Sequence, residues 1–262
     1  MSQITVILPI NDINEKIAPL FDAAIKSLQN SETKPDELLI VRCQCPEVEA
    51  FLSKYNFDGL NVRVVVNPGD ANNFQSQINY GASQVSTEWF SILEYDDEYT
   101  PKWFTNVVKY QSYYPNVDVF LPIVTDTNAE RQFMGFTNEP VWAANFSDEA
   151  GFLDEGSLLK FPNFQTSGAV YRTKAYLEYG GMKASMRLTF SYEFLLRMVY
   201  NDVKVMTIPK VGYVHTNMRE GSLFWDYKFS ATDKIDAPQA NFWLETAKKE
   251  YYFTNDRKVT YA

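Results

Sequence analysis

Histidine is almost missing from this sequence, with His215 the single copy in 262 residues. A serine-hydrolase triad would have to use that one imidazole, and no Gly-x-Ser-x-Gly elbow accompanies it, so that class loses support. Cysteine is nearly as scarce: Cys43 and Cys45 are the two copies. Thiols two residues apart have poor disulfide geometry, and without companion ligands they do not complete a zinc site. They read as reduced thiols near a strand end, in a reducing, cytoplasmic setting. There is no basic block, and the net charge is −9, which argues against a nucleic-acid backbone or an anionic membrane surface as partner. No apolar run reaches the roughly 18 residues of a membrane span. The opening Met1-Ser-Gln-Ile-Thr-Val-Ile-Leu-Pro-Ile10 lacks the basic-then-apolar pattern of a signal peptide. Gly-x-Gly-x-x-Gly and Gly-x-x-x-x-Gly-Lys-Ser/Thr are both absent, so dehydrogenase and P-loop readings lose support too. Asn145-Phe-Ser147 fits a glycosylation acceptor but carries no meaning outside a secretory pathway.

What is present is a regular alternation. Residues 3–9 form a β-rich apolar run ending at Pro9. Asp12-Ile-Asn-Glu15 reads as a capping box before a helix with Ile13, Ile17, Leu20, Phe21, Ala24, Ile25 and Leu28 on one face. Glu37–Arg42 is the second strand, Pro46 opens a second helix, and Asn61–Val66 is the third strand. A helix follows from Asp70 to about Val85, then a strand at Trp89–Leu93, a helix opened by Thr100-Pro101 and a strand at Val117–Val124. Residues 126–163 read as a long functional loop with short helical pieces. Beyond it come a strand at Thr166–Tyr171, helices at Thr173–Tyr179 and Phe190–Tyr200, a strand at Val203–Thr207 and a final helix at about 238–252. This order implies one α/β domain around a mainly parallel sheet, whose ligand site lies at the carboxyl ends of the strands.

Chemistry concentrates at those ends. Leu93-Glu94-Tyr95-Asp96-Asp97-Glu98 places four carboxylates just after an apolar strand. Crowded carboxylates repel by on the order of a kcal/mol for each close pair. They either fan into water or hold a hard divalent cation such as magnesium or manganese. His215 is either a structural residue or an additional ligand, and nearby Arg219 and Ser222 are candidate phosphate contacts. Asn67-Pro-Gly69-Asp70-Ala-Asn-Asn73, followed by Asn79 and Gly81, supplies polar groups of the kind that bind a base, ribose or phosphate. With aromatics at 16%, rings such as Trp103, Trp142 and Phe161 could form a sugar-stacking face, with core packing as the ordinary alternative.

Taken together, residues 3–217 resemble the family-2 glycosyltransferases of GT-A (Rossmann-like) fold. The opening strand through Pro9, Asn11 and Asp12 looks like the family's nucleotide-contacting first strand. Asn67-Pro-Gly69 with Asn79-Tyr-Gly81 is similar to the segment before its metal motif. Glu94-Tyr-Asp96-Asp97 stands where the family carries Asp-x-Asp. Phe164-Gln-Thr-Ser-Gly168-Ala-Val-Tyr-Arg172 with Glu178-Tyr-Gly-Gly181 resembles its acceptor-side strand and turn, and Val214-His215 its late histidine. The resemblance implies a nucleoside-diphosphate sugar donor (a UDP-sugar favoured), a glycan or other hydroxyl acceptor, and usually inversion. It also implies Mn2+ or Mg2+ on Asp96 and Asp97, with Glu94 and His215 assisting. It divides the chain into a domain over 1–222, its nucleotide-sugar half 1–100 and acceptor half 101–222, and a tail over 223–262 that either covers the acceptor cleft or forms a homodimer contact.

Three positions depart from the family pattern. Glu94 replaces the first Asp of the metal motif. The second strand ends in Arg42-Cys43-Gln44 rather than in acidic residues. The acidic pair expected before a Leu-Arg helix falls on Phe190 and Ser191, so Glu193 becomes the expected general base, with pairing to Arg197 as the alternative. Asp154 and Glu155 stand in reserve. A nucleotidyltransferase, or a non-catalytic relative that binds glycan or nucleotide, remains open. The former usually carries a Gly- and basic-rich loop that Pro9-Ile-Asn-Asp12 does not supply.

Overall fold

The structure is a computed structural model and describes residues 3–69, 73–139, 151–217, 219–230, 232 and 234–257. It opens with β1 (Ile4–Ile10), α1 (Ala18–Gln29), β2 (Glu37–Arg42), α2 (Pro46–Leu52), β3 (Val62–Val66), α3 (Phe74–Gln84) and β4 (Trp89–Ile92). Next come β5 (Glu98–Tyr99), α4 (Trp103–Tyr113), β6 (Val119–Thr127), β7 (Phe133–Thr137), β8 (Phe152–Leu153) and α5 (Glu155–Lys160). The last elements are β9 (Val170–Arg172), α6 (Thr173–Glu178), α7 (Phe190–Tyr200), β10 (Val205–Thr216), α8 (Leu223–Phe229) and α9 (Ala237–Glu250).

Among the described residues the strands form one sheet, in the order β3-β2-β1-β4-β9-β6-β10-β5, with β7 on β6 and β8 on β10. The first four strands are parallel. Strand β9 then runs antiparallel between β4 and β6, while β6 and β10 are again parallel. The sheet is therefore mixed, not uniformly parallel. Since β9 reverses direction twice over, β4, β6 and β10 still point the same way and deliver their carboxyl ends to one edge.

Alternating side chains explain why both faces are covered. On β1 and β2, Val6, Leu8, Leu38 and Ile40 join the core under α1, α2 and α4, whereas Ile7, Leu39 and Val41 join the core under α3, α7 and α9. Each fully buried aliphatic side chain of this kind is worth about 1.5–3 kcal/mol relative to exposure. Helix α3 lies close on the sheet because Gly81 has no side chain: a Cβ there would meet Ile7 at 2.8 Å and Val41 at 2.9 Å. Among the described residues no helix is long and apolar enough to cross a membrane.

Several sequence expectations shift. Asp12-Ile-Asn-Glu15 is not a capping box. Asn14 Oδ1 accepts from Lys16 N and Ile17 N, and α1 begins at Ala18 with a proline in its first turn. Residues 126–163 are more ordered than a loop, since β6 continues to Thr127 and returns as β7, although 140–150 lie outside the described residues. Strand β9 starts later than Thr166 because Gly168 takes φ +70° and Ala169 N donates to Thr166 O at 3.0 Å, closing a turn. Strand β10 runs past Pro209 to Thr216 through two register shifts, as bulged strands do. The tail packs inward: Trp243, Ala247 and Tyr251 of its last helix region are core residues.

Candidate active site

The carboxyl ends of β4 and β10 meet at the centre of that edge. Just after β4, the buried Tyr213 hydroxyl accepts from the Glu94 backbone N–H at 3.0 Å. Glu94 Oε1 accepts from Ser167 Oγ at 3.0 Å. Asp97 is fully buried, with Oδ1 accepting from Thr216 N at 2.8 Å and Oδ2 facing His215 Nδ1 at 2.9 Å. Occupation of Nδ1 leaves Nε2 as the imidazole's second coordinating position. Ligand atoms of Glu94, Asp97 and His215 all lie within 4.8 Å of one another. Their oxygen and imidazole donors suit a hard or borderline divalent cation.

The three groups shift one another's protonation. Burial and the neighbouring Asp97 push the Glu94 carboxyl up to about 8. Burial pulls the His215 imidazole down, but attraction and hydrogen bonding to Asp97, with help from Glu94 and Asp126, outweigh it and raise it to about 10. Both shifts favour the protonated forms near neutral pH, so a cation bound by Glu94 and His215 would take the place of protons there.

Asp96 is not in the three-ligand cluster. Its Oδ2 accepts from Arg219 Nε at 2.8 Å, and its carbonyl accepts from Thr216 Oγ1 at 2.7 Å. Burial and Asp97 raise its carboxyl, against the pull of Arg219. Of the residues expected to hold a cation, Glu94, Asp97 and His215 lie together, whereas Asp96 is paired with Arg219.

Glu193, expected as base, has 0% of its side chain exposed. Its oxygens meet Arg197 Nη2 at 2.9 Å and Lys183 Nζ at 2.9 Å. Pairing with Arg197 at one helical turn is thus realised, but in the core rather than at the surface. The reserve carboxylates are also committed: Asp154 caps α5 through Ser157 N at 2.6 Å, and Glu155 accepts from Tyr251 Oη. The carboxylate that opens beside the cluster is Asp126, the register partner of His215 near the end of β6. Burial raises its carboxyl, against the pull of His215 and Gln165. Asp126 and His215 line a cavity of about 450 Å³, with Gln165 and Asn217 as further polar lining and Phe164, Leu188, Phe224, Tyr227 and Ile235 among its apolar lining.

The other expected residues sort by strand. Pro9 is buried in β1, and the next turn exposes Asp12, whose Oδ1 accepts from Ile13 N at 2.7 Å. Asn11 accepts from Gln77 Nε2 by its side chain and from Cys43 Sγ by its carbonyl, at 3.0 Å for the latter. Asn67 accepts from Gly69 N at 3.1 Å, while its buried Nδ2 has no hydrogen-bond partner among the described residues. Those ends of β1, β2 and β3 lie side by side, as the register of the three strands requires. Asn79 points elsewhere: its Nδ2 donates to Met182 O at 2.7 Å and its Oδ1 accepts from Tyr176 Oη at 2.8 Å, so it fastens α3 to the turn after α6. Trp103 is fully buried and offers no stacking face, Phe161 is exposed, and Trp142 lies outside the described residues. Ser222 caps α8 through Trp225 N at 3.3 Å.

Sequence reasoning missed Asp126, Ser167, Tyr213 and Thr216. For Asp126 a signal existed, an acid directly after the apolar strand Val119–Val124. Tyr213 and Thr216 carried none, because their roles arise from contacts 119 positions away along the chain.

Comparison with known proteins follows the same lines. The model of the family described as glycosyl transferase family 2 matches residues 6–180. No curated protein sequence matches the chain. Among solved structures, S. aureus TarS residues 1–349 in complex with UDP-GlcNAc is similar with a TM-score of 0.69 at 13% identity, covering 95% of this chain and 66% of that one. The same fragment in complex with UDP gives a TM-score of 0.62 at 14% identity, covering 95% and 80%. At such identities the likeness is one of fold, and this chain spans just under two thirds of the first of these fragments.

Proposed function

The chain belongs to glycosyl transferase family 2, and on that premise we propose that it moves a sugar from a nucleoside-diphosphate donor to a hydroxyl acceptor with inversion at the anomeric carbon. The observation that carries this reading is the convergence of Glu94, Asp97 and His215 beside a cavity at the carboxyl edge of the sheet. Those three residues would hold Mn2+ or Mg2+, with Asp96 available as a fourth. A cation held there would stabilise the charge that develops on the departing diphosphate.

The residues of the chain supply the rest. The adjacent ends of β1, β2 and β3 form the nucleotide subsite, where the unpartnered Asn67 Nδ2 is a donor awaiting an acceptor. UDP is the first nucleotide to test, because the TarS structures hold UDP and UDP-GlcNAc. Asp126 faces the cavity and removes the proton of the acceptor hydroxyl. That oxygen bonds to the anomeric carbon, the carbon–phosphate-oxygen bond breaks, and its electron pair leaves with the nucleoside diphosphate. General-base help of this type is worth about 10²–10⁴-fold.

Calorimetric titration of UDP and GDP, each with and without Mn2+, tests the reading. Binding of one nucleotide that depends on Mn2+ is the expected result. Failure of both nucleotides to bind the folded protein would overturn the donor assignment. Metal-dependent binding with no transfer or hydrolysis of UDP-GlcNAc or other UDP-sugars would make the chain a non-catalytic member of its family.

A further inference from the structure

Asp96 is held out of the cation cluster by Arg219, and the surroundings of that pair say what it does. Arg219 Nε donates to Asp96 Oδ2 at 2.8 Å and Nη2 to the Tyr95 hydroxyl at 2.9 Å. The guanidinium lies 5.3 Å from the Tyr95 ring centroid. Both charged side chains of the pair are 12% exposed, so water screens them weakly. Arg219 follows His215 by four positions, just beyond the end of β10. One short stretch therefore presents the acids with a candidate cation ligand and with a rival cation.

The rivalry has a definite sign. A divalent cation arriving alone meets a fixed guanidinium beside its carboxylate ligands and is opposed. A nucleoside diphosphate adds negative charge at the same place and attracts both cations. An arginine suits this exchange, because its planar fork matches carboxylate and phosphate oxygens equally well.

We propose that Arg219 is a counter-ion latch that holds Asp96 in the nucleotide-free protein and passes to the diphosphate when nucleotide and cation arrive, leaving Asp96 to face the cation. The latch rests on the donor reading above. It makes cation and diphosphate favour each other's binding through one side chain. It also keeps Asp96 neutralised, and the pocket closed to stray cations, while no donor is present.

The test uses Arg219→Gln in the full chain, with Mn2+ and UDP as probes, free Mn2+ read by electron paramagnetic resonance and UDP by calorimetry. Mn2+ alone should bind the variant about fivefold tighter than wild type, while UDP at saturating Mn2+ should bind about tenfold weaker. A merely structural role would not move the two affinities in opposite directions. In the Asp96→Asn/Arg219→Gln double variant the gain in Mn2+ affinity should vanish. Should Arg219→Gln fail to fold, the near-isosteric Asp96→Asn decides: with Arg219 released, UDP without cation should bind about fivefold tighter than to wild type, and an unchanged affinity overturns the latch. Unchanged or weakened Mn2+ binding by a folded Arg219→Gln also overturns it, while wild-type binding of UDP with Mn2+ leaves the donor reading standing. No binding of UDP with Mn2+ by wild type overturns both.

Discussion

Asp126 and His215 are register partners on two parallel strands and line the same cavity, so the proposed base and a proposed cation ligand stand one ladder step apart. This closeness assigns Asp126 a kinetic signature. Asp126→Asn keeps the shape and removes the base. Turnover should fall about 10²–10⁴-fold, while the donor KM and Mn2+ affinity change little. Steady-state kinetics with varied UDP-sugar and Mn2+ check this, and unchanged turnover would return the base to another group. At this scale the acidic segment Glu94–Glu98 and His215 were legible from residue type and strand position alone. The partition within the segment was not. Whether Asp96 or Asp97 meets His215 depends on how β10 docks, and a local pattern carries no information about that docking.

Helix α7 shows how an element can carry a familiar sequence pattern with a different task. Its bounds, Phe190–Tyr200, are those its apolar periodicity predicts. Yet Glu193 faces the core, where Arg197 also donates to Gly181 O at 2.7 Å and Lys183 to Glu250 O at 2.7 Å. The ion triad thereby ties α7 to the turn before it and to the end of α9. Glu193→Gln should leave two buried cations short of their counter-charge and destabilise the fold by about 3–5 kcal/mol. Urea denaturation measures this. At temperatures where the variant stays folded, its turnover should remain near wild type. Intact stability with lost turnover would restore Glu193 as the base. The periodicity located the helix because it is a local property. Lys183, ten positions before Glu193, gave no sign that its ammonium would be buried beside it.

For the whole molecule, alternation of strands and helices was enough to indicate a sheet with its site at the carboxyl edge, since each parallel unit is specified within about 30 residues. The strand that became β9 was legible but its reversed direction was not, because direction is set by its distant partners β4 and β6, and the length of β10 was not, because it continues through a proline and two register shifts. The tail shows the same limit. Its helix α9 was expected from its amphipathic pattern, but its place in the core was not. Removing residues 237–262 would uncover the pocket filled by Trp243, Ala247 and Tyr251. The shortened chain should lose its single cooperative melting transition, as read by circular dichroism and calorimetry. A sharp transition near that of wild type would mean the helix is an accessory.

The position of β9 in the sheet also bears on how the protein is made. Strands β1 to β4 are complete once residue 92 has left the ribosome, but the open edge of β4 waits for Val170–Arg172 to cover it. For the time needed to add some 80 further residues, at roughly 5–20 residues per second, a buried-type strand (Trp89, Phe90, Ile92) stands ready to pair with another chain. Chaperone capacity during synthesis, and dilution during refolding, should therefore govern the yield of this protein more than the strength of its finished core.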